Sequence, residues 1–202
     1  MIEYCKKHSI GWNTTKPSYI IGAVPDAAMN LCFPLAVYAI VQKHLGKALI
    51  FPSDISTWYT AETMSSSQMN AYLSEWAVLT PSAENEGFNA GDNYEFTWGK
   101  FWPKLAAYFR MPWEGPDTSA SASYNEFSTP YSPPPRGFGP AGKVRYKFKF
   151  TEWAARDEVQ QTWKEIARAH DLRDKELQDV ERVFGFLDAG LLVPQSGYLR
   201  YG

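Results

Sequence analysis

The stretch Trp12-Asn13-Thr14-Thr15-Lys16-Pro17-Ser18-Tyr19-Ile20-Ile21-Gly22-Ala23-Val24-Pro25-Asp26-Ala27-Ala28-Met29-Asn30-Leu31-Cys32-Phe33-Pro34-Leu35-Ala36-Val37-Tyr38 reads as strand, loop, helix. Trp12 to Thr15 and Tyr19 to Ile21 are rich in β-branched and aromatic side chains, which suit a pleated surface. Pro17 blocks a helix and holds Lys16 extended, so one strand is expected from Trp12 to Ile21 with Pro17 near its end. Gly22 then supplies a turn, and Pro25 and Asp26 favour a helix start. Apolar residues recur at helical spacing from Ala27 to Leu45, and Gly46 stops them. In open α/β sheets, ligands sit where such strands end.

Outward from this anchor, Lys47 to Phe51 reads as a short strand ended by Pro52. A strand, helix, strand order of this length predicts a right-handed parallel crossover, so the anchor strand should pair with Ala48 to Phe51. A third strand at Asn85 to Asn89, before the turn Gly91-Asp92-Asn93, should lie in the same sheet. Ile2 to Ser9 reads as the tail of a helix feeding the anchor. Ser53 to Thr57 reads as a polar connection, with Trp58 and Tyr59 packed.

Three helices should surround that sheet. Ser65 to Leu79 places Met69, Tyr72, Leu73 and Trp76 on one core-facing stripe. Trp98 to Phe109 aligns Phe101, Trp102, Leu105 and Phe109, with Pro103 tolerated in the first turns. Thr151 to His170 offers Trp153, Val159, Trp163, Ile166 and Ala167 as inward residues and Thr151 as N-cap. A last charged helix, Asp171 to Leu187, turns Leu177, Val180, Phe184 and Leu187 inward.

The segment from Pro112 to Gly142 is rich in proline, glycine and serine and reads as an irregular surface loop. Its Ser132-Pro133-Pro134-Pro135-Arg136 run also fits a polyproline ligand, the rarer use of such a composition. Lys143 to Lys149 alternates basic and apolar residues, as an exposed edge strand protected by lysine does.

At 202 residues, 45% of them hydrophobic and 16% aromatic, the chain can bury a core as one domain over residues 1–202. A formal net charge of −2 with scattered basic residues carries no electrostatic footprint for nucleic acid, which points to small molecules or proteins as partners. Cys5 and Cys32 lack disulfide-framework or metal-ligand spacing and read as buried thiols in a reducing compartment. His8, His44 and His170 sit in no metal-ligand or nucleophile-elbow pattern. Without a signal-like N-terminus or an apolar run of about 20 residues, a soluble cytoplasmic protein with no membrane partner is expected.

The anchor resembles the segment just after the catalytic tyrosine helix in extended short-chain dehydrogenase/reductases of the progesterone 5β-reductase and iridoid synthase branch, fungal relatives included. Val41-Gln42-Lys43-His44-Leu45-Gly46-Lys47-Ala48-Leu49-Ile50-Phe51-Pro52, Leu73-Ser74-Glu75-Trp76-Ala77, and Asn85-Glu86-Gly87-Phe88-Asn89 with Phe96-Thr97-Trp98 carry the same likeness. It covers residues 3 to 112 well and 150 to 187 more loosely. The fold it implies is α/β, a remnant of a Rossmann-type parallel sheet with a mainly helical substrate-binding part.

The resemblance also implies a cofactor, NADP(H), and a small apolar or carbonyl substrate. By the same likeness Pro17 and Ile20 match positions against the nicotinamide ring, and Ala28 and Met29 match positions that close over the cofactor. Phe33, Trp58, Trp98 and Trp102 are the aromatic candidates for a substrate pocket. The family's glycine-rich strand-to-helix turn, whose N–H groups hold the pyrophosphate, does not occur in these residues. Gly137-Phe138-Gly139-Pro140-Ala141-Gly142 imitates it only in part, inside a proline-rich loop. The tyrosine whose hydroxyl would donate a proton or stabilise an oxyanion, and the lysine that would lower its pKa, are by the same resemblance expected upstream of Met1.

Three functions follow. The first is a piece of a reductase, inactive by itself. The second is a cofactor-free isomerase or cyclase that holds a flexible apolar substrate in a reactive conformer within the aromatic pocket. The third is a non-enzymatic scaffold or gene fragment whose exposed sheet side a homodimer would cover.

Overall fold

The computed structural model describes residues 1–23, 29–92, 94–128 and 143–192. In chain order its elements begin with α1 (Ile2–His8), β1 (Asn13–Pro17), β2 (Tyr19–Ile21), α2 (Cys32–His44), β3 (Leu49–Ile50) and α3 (Ile55–Tyr59). They continue with β4 (Ala61–Ser66), α4 (Ser67–Leu79), a 3-10 turn at Pro81–Ala83, β5 (Glu86–Ala90), β6 (Glu95–Thr97), α5 (Trp98–Phe109) and β7 (Trp113–Glu114). The last are β8 (Asn125–Ser128), β9 (Lys143–Tyr146), α6 (Phe150–Ala154), α7 (Asp157–Ala169) and α8 (Val180–Leu191). The class is α/β with parallel strand pairs, as the sequence implied. The chain divides into two units, Met1–Asp26 with Glu62–Phe96, and Ala27–Ala61 with Thr97–Gly202.

In the first unit, β1 pairs in parallel with β5, from Asn13 opposite Glu86 to Pro17 opposite Ala90. The expected partnership with the Phe88 strand is therefore present, Thr15 lying opposite Phe88. The anchor is nevertheless two strands rather than one. β2 lies in a different sheet, ordered β2-β4-β6, and pairs in parallel with β4. Pro17 explains the break: it has no N–H to continue the ladder and a fixed φ, and Ser18 bends the chain toward β4.

α4 lies on β1 and β5, burying Ala77. The stripe expected to face the core instead stands half out of it, with Met69 and Tyr72 54% exposed and Trp76 48%. Trp76 meets the sheet only edge-on, against Phe88 at 5.3 Å. A sheet of two strands is too narrow to cover the whole stripe.

In the second unit, α2 begins later than the pattern suggested. The Asn30 carboxamide oxygen accepts from the N–H groups of Cys32 (3.0 Å) and Phe33 (3.1 Å), closing the first turn. The expected start at Pro25 and Asp26 lies outside the described residues. Gly46, at φ +66°, ends the helix as foreseen, because that left-handed turn strains any side chain. Cys32 is exposed on the first turn of α2, against the expectation of two buried thiols; Cys5, in the other unit, is buried.

The strand after α2 does not join the anchor. β3 pairs in parallel with β7, Leu49 opposite Trp113 and Ile50 opposite Glu114. A side chain takes its other edge: the Tyr38 hydroxyl donates to the Ile50 carbonyl at 3.0 Å and accepts from its N–H at 3.1 Å. With both groups of Ile50 satisfied, no ladder site remains there for another strand. Around this point Tyr38, Phe51, Trp98, Trp102, Phe150 and Phe184 are buried to 1% exposure or less.

Elsewhere the sequence reading needs correction. Ser53 to Thr57 is no polar connection but leads into α3, which Asp54 caps by accepting from Ser56 and Thr57. Trp58 is packed, yet Tyr59 is 69% exposed. The region read as irregular contains β7 and β8, and β8 pairs antiparallel with β9, from Asn125 opposite Tyr146 to Ser128 opposite Lys143. The polyproline run and the glycine run after it lie outside the described residues.

The long helix from Thr151 breaks after Ala154 into α6 and α7. Thr151 is not its cap. Asp188 of α8 reaches across to accept from Phe150 N (2.6 Å), Thr151 N (3.0 Å) and Thr151 Oγ1 (2.8 Å). Among the described residues no helix is long and apolar enough to cross a membrane.

Candidate functional site

The C-terminal ends of the parallel strands in the first unit are the place to look for a ligand. β1 and β5 end together at Pro17 and Ala90. Pro17 is exposed there, and Ile20, opposite Ser65 of β4, is 45% exposed. Both residues named for the nicotinamide edge are therefore accessible apolar surface at strand ends, which suits the flat face of a ring. Ser65, the β4 residue opposite Ile20, is buried and accepts from Asn70 Nδ2 at 2.8 Å.

The phosphate end fits less well. Where β4 runs into α4, no glycine turn intervenes, and Ser66 Oγ takes the N–H of Met69 at 3.2 Å. The Ser66 N–H goes to the Asp92 carboxylate at 3.2 Å, while Asp92 N–H donates to the Met64 carbonyl at 3.2 Å. At the junction of β6 and α5, Thr97 Oγ1 accepts from Lys100 N at 3.2 Å. At each junction the cap side chain takes one N–H of the first helical turn, Met69 N at the first and Lys100 N at the second. The role of Asp92 was not legible in the sequence, where it reads as a turn residue 26 positions from its partner.

In the second unit, Met29 is 74% exposed just before the Asn30 cap. Ala28 lies outside the described residues. Phe33, on the first turn of α2, is 36% exposed and sits edge-on to Trp163 at 6.4 Å.

The structure brings Trp58, Trp98 and Trp102 together and leaves Phe33 with Trp163. Phe51 stands between two of them, edge-on to Trp58 at 4.9 Å and to Trp102 at 5.2 Å. Trp102 Nε1 donates to the Leu49 carbonyl at 2.9 Å. Trp58 lies flat on the start of α5, so that a Cβ on Gly99 would fall 2.6 Å from its Nε1; only glycine admits that approach. Its other neighbour is Trp113, stacked at 5.8 Å and 43% exposed. Trp98 and Trp102 are at 0% exposure, closely packed in the described structure.

Several known proteins are similar to this chain in sequence. The (S)-8-oxocitronellyl enol synthase of Nepeta racemosa is 37% identical over 53% of this chain and 28% of its own length. The 3-oxo-Delta(4,5)-steroid 5-beta-reductase of Arabidopsis thaliana is 27% identical over 88% of this chain and 39% of its own. An (S)-8-oxocitronellyl enol synthase of Camptotheca acuminata is 27% identical over 99% and 44% respectively. The chain thus spans between 28% and 44% of the length of these relatives. Among solved structures, a UDP-glucose 4-epimerase from Thermotoga maritima superimposes with a TM-score of 0.41 at 10% identity, over 58% of this chain and 38% of that one, too distant a likeness to bear on function. The PRISE-like Rossmann-fold domain matches residues 1–122, more than half of the 202, and the chain belongs to that family.

Proposed function

We propose that this chain supplies the ring-side strand ends and the substrate-side elements of an NADP(H)-dependent enone or aldehyde reductase, and that as a separate polypeptide it does not catalyse the reduction. The carrying observation is the division of the site. Pro17, at the end of β1, and Ile20, in β2, present apolar surface on parallel strands, while the described strand-to-helix junctions have no glycine-rich turn and are capped by Ser66 and Thr97. NADP(H), when bound to a complete member of the family, would supply the hydride. The role of the residues here would be to bind and orient: in the first unit, Pro17 and Ile20 against the ring; in the second, Met29 toward the cofactor and Phe33 toward a small apolar or carbonyl substrate.

Titration of the 202-residue chain with NADPH, followed by tryptophan and nicotinamide fluorescence, tests this reading. Weak or absent binding and no loss of NADPH in the presence of an enone are expected. Tight saturable binding would show that these residues hold the phosphates by other means and would sink the proposal. A cofactor-free isomerase or cyclase would need a pocket lined by Phe33, Trp58, Trp98 or Trp102, and the complete burial of Trp98 and Trp102 lends that reading no support.

A further inference from the structure

One side of α4 has a chemistry that does not match its exposure. Met69, Tyr72, Trp76 and Leu79 recur at spacings of three, four and three, which places them in one row along the helix. They are 54%, 54%, 48% and 73% exposed. Of the 13 residues of α4, Glu75 is the only charged one. A helix built to face water carries far more charge than this.

We propose that this row is the docking surface for a second copy of the chain, with the two α4 helices packed antiparallel about a twofold axis level with Ser74. A twofold interface needs a patch complementary to itself. The 3-4-3 spacing reads the same from either end, so antiparallel pairing sets Met69 against Leu79 of the other copy and Tyr72 against Trp76. All four cross-contacts are apolar. Glu75 comes level with Leu73 of the other copy and meets no like charge. At the exposures given, these four side chains offer roughly 500 Å² per copy, since large side chains of this kind present about 150–250 Å² each when free. Two copies would then remove about 1,000 Å², the size at which a specific interface becomes sustainable. Among the described residues the Tyr72 hydroxyl accepts from Gln68 Nε2, at 2.8 Å on the same helix, and that bond does not oppose such a partner.

Sedimentation equilibrium of the full 202-residue chain over a hundredfold concentration range is the test. The wild-type chain should be a dimer that dissociates on dilution. Tyr72→Glu and Trp76→Lys should each raise the dissociation constant at least tenfold. Mixing the two should restore the dimer, because the introduced carboxylate meets the introduced ammonium across the interface. Val78→Glu, on the opposite side of α4 and 75% exposed already, should change nothing. Trp76 touches Phe88, so if Trp76→Lys does not fold by circular dichroism, Tyr72→Glu and Leu79→Glu decide the matter between them. A wild-type monomer at every concentration would mean the row belongs to some other occupant and would overturn the proposal. So would a dimer indifferent to Tyr72→Glu, or one that Val78→Glu dissociates equally.

Discussion

In α5, Trp98, Trp102 and Ala106 follow one another at intervals of four and all lie at 0% exposure. In α4, Met69, Tyr72 and Trp76 follow the same helical spacing and keep about half their surface. The apolar content of the two rows is similar; the material opposite them is not. α5 packs against α2, α3 and β7, whereas α4 has β1, β5 and the 3-10 turn. An apolar row tells which way a helix turns, and the area presented by its neighbours decides how much of the row leaves water.

The contrast is broken most forcefully at Trp102. Trp102→Ala should cost about 3–5 kcal/mol, the range for truncating a large aromatic in a packed core, measured by urea unfolding. A loss under about 1 kcal/mol would mean that α5 is held no better than α4. Tyr38→Phe comes next. It removes the hydroxyl that satisfies both backbone groups of Ile50, and leaving these part-buried groups unpaired should cost about 1–3 kcal/mol by the same measurement.

Asp188 gives a test through pH. Burial pushes its carboxyl above the ordinary aspartate value, and the hydrogen bonds from Thr151 and Phe150 pull it back only in part. A group with a raised folded-state pKa binds its proton more tightly in the folded chain, so its contribution to stability is fullest below the unfolded value of about 4 and falls as pH rises through the raised value. The melting temperature of the wild type should therefore drop relative to Asp188→Asn as pH is raised from about 4 toward neutrality. A relative rise would show that the hydrogen bonds outweigh burial. The smallest effect belongs to α4. Trp76→Ala in dilute protein should cost about 1 kcal/mol, the centre of the distribution for single substitutions. A cost like that of Trp102→Ala would erase the distinction between the helices.

Much of the local structure was legible in residue types. Gly46 ends α2 because only glycine takes φ +66° without strain, and the strand at Phe88 finds the anchor because both are short extended runs whose backbone groups need a ladder partner. Family membership was legible for a similar reason: its motifs are short runs that pack locally, and they lie within residues 1–122. Other features were illegible. Asp188 closes α6 from 37 residues away, and Asp92 closes the start of α4 from 26; neither interval leaves a periodic trace.

By itself, then, the order of residues determined the alternation of strand and helix along the anchor, the stop of α2 at Gly46 and the apolar side of α4 and α5, since all of these follow from interactions within about one or two turns of chain. Tertiary structure alone decided that the anchor splits at Pro17 between two sheets, that β3 takes β7 and a tyrosine hydroxyl as its neighbours, and that Trp102 is buried while Trp76 is not. Those outcomes turn on which distant surfaces compete for the same hydrogen bonds and the same apolar area, a competition that has no signature in local spacing.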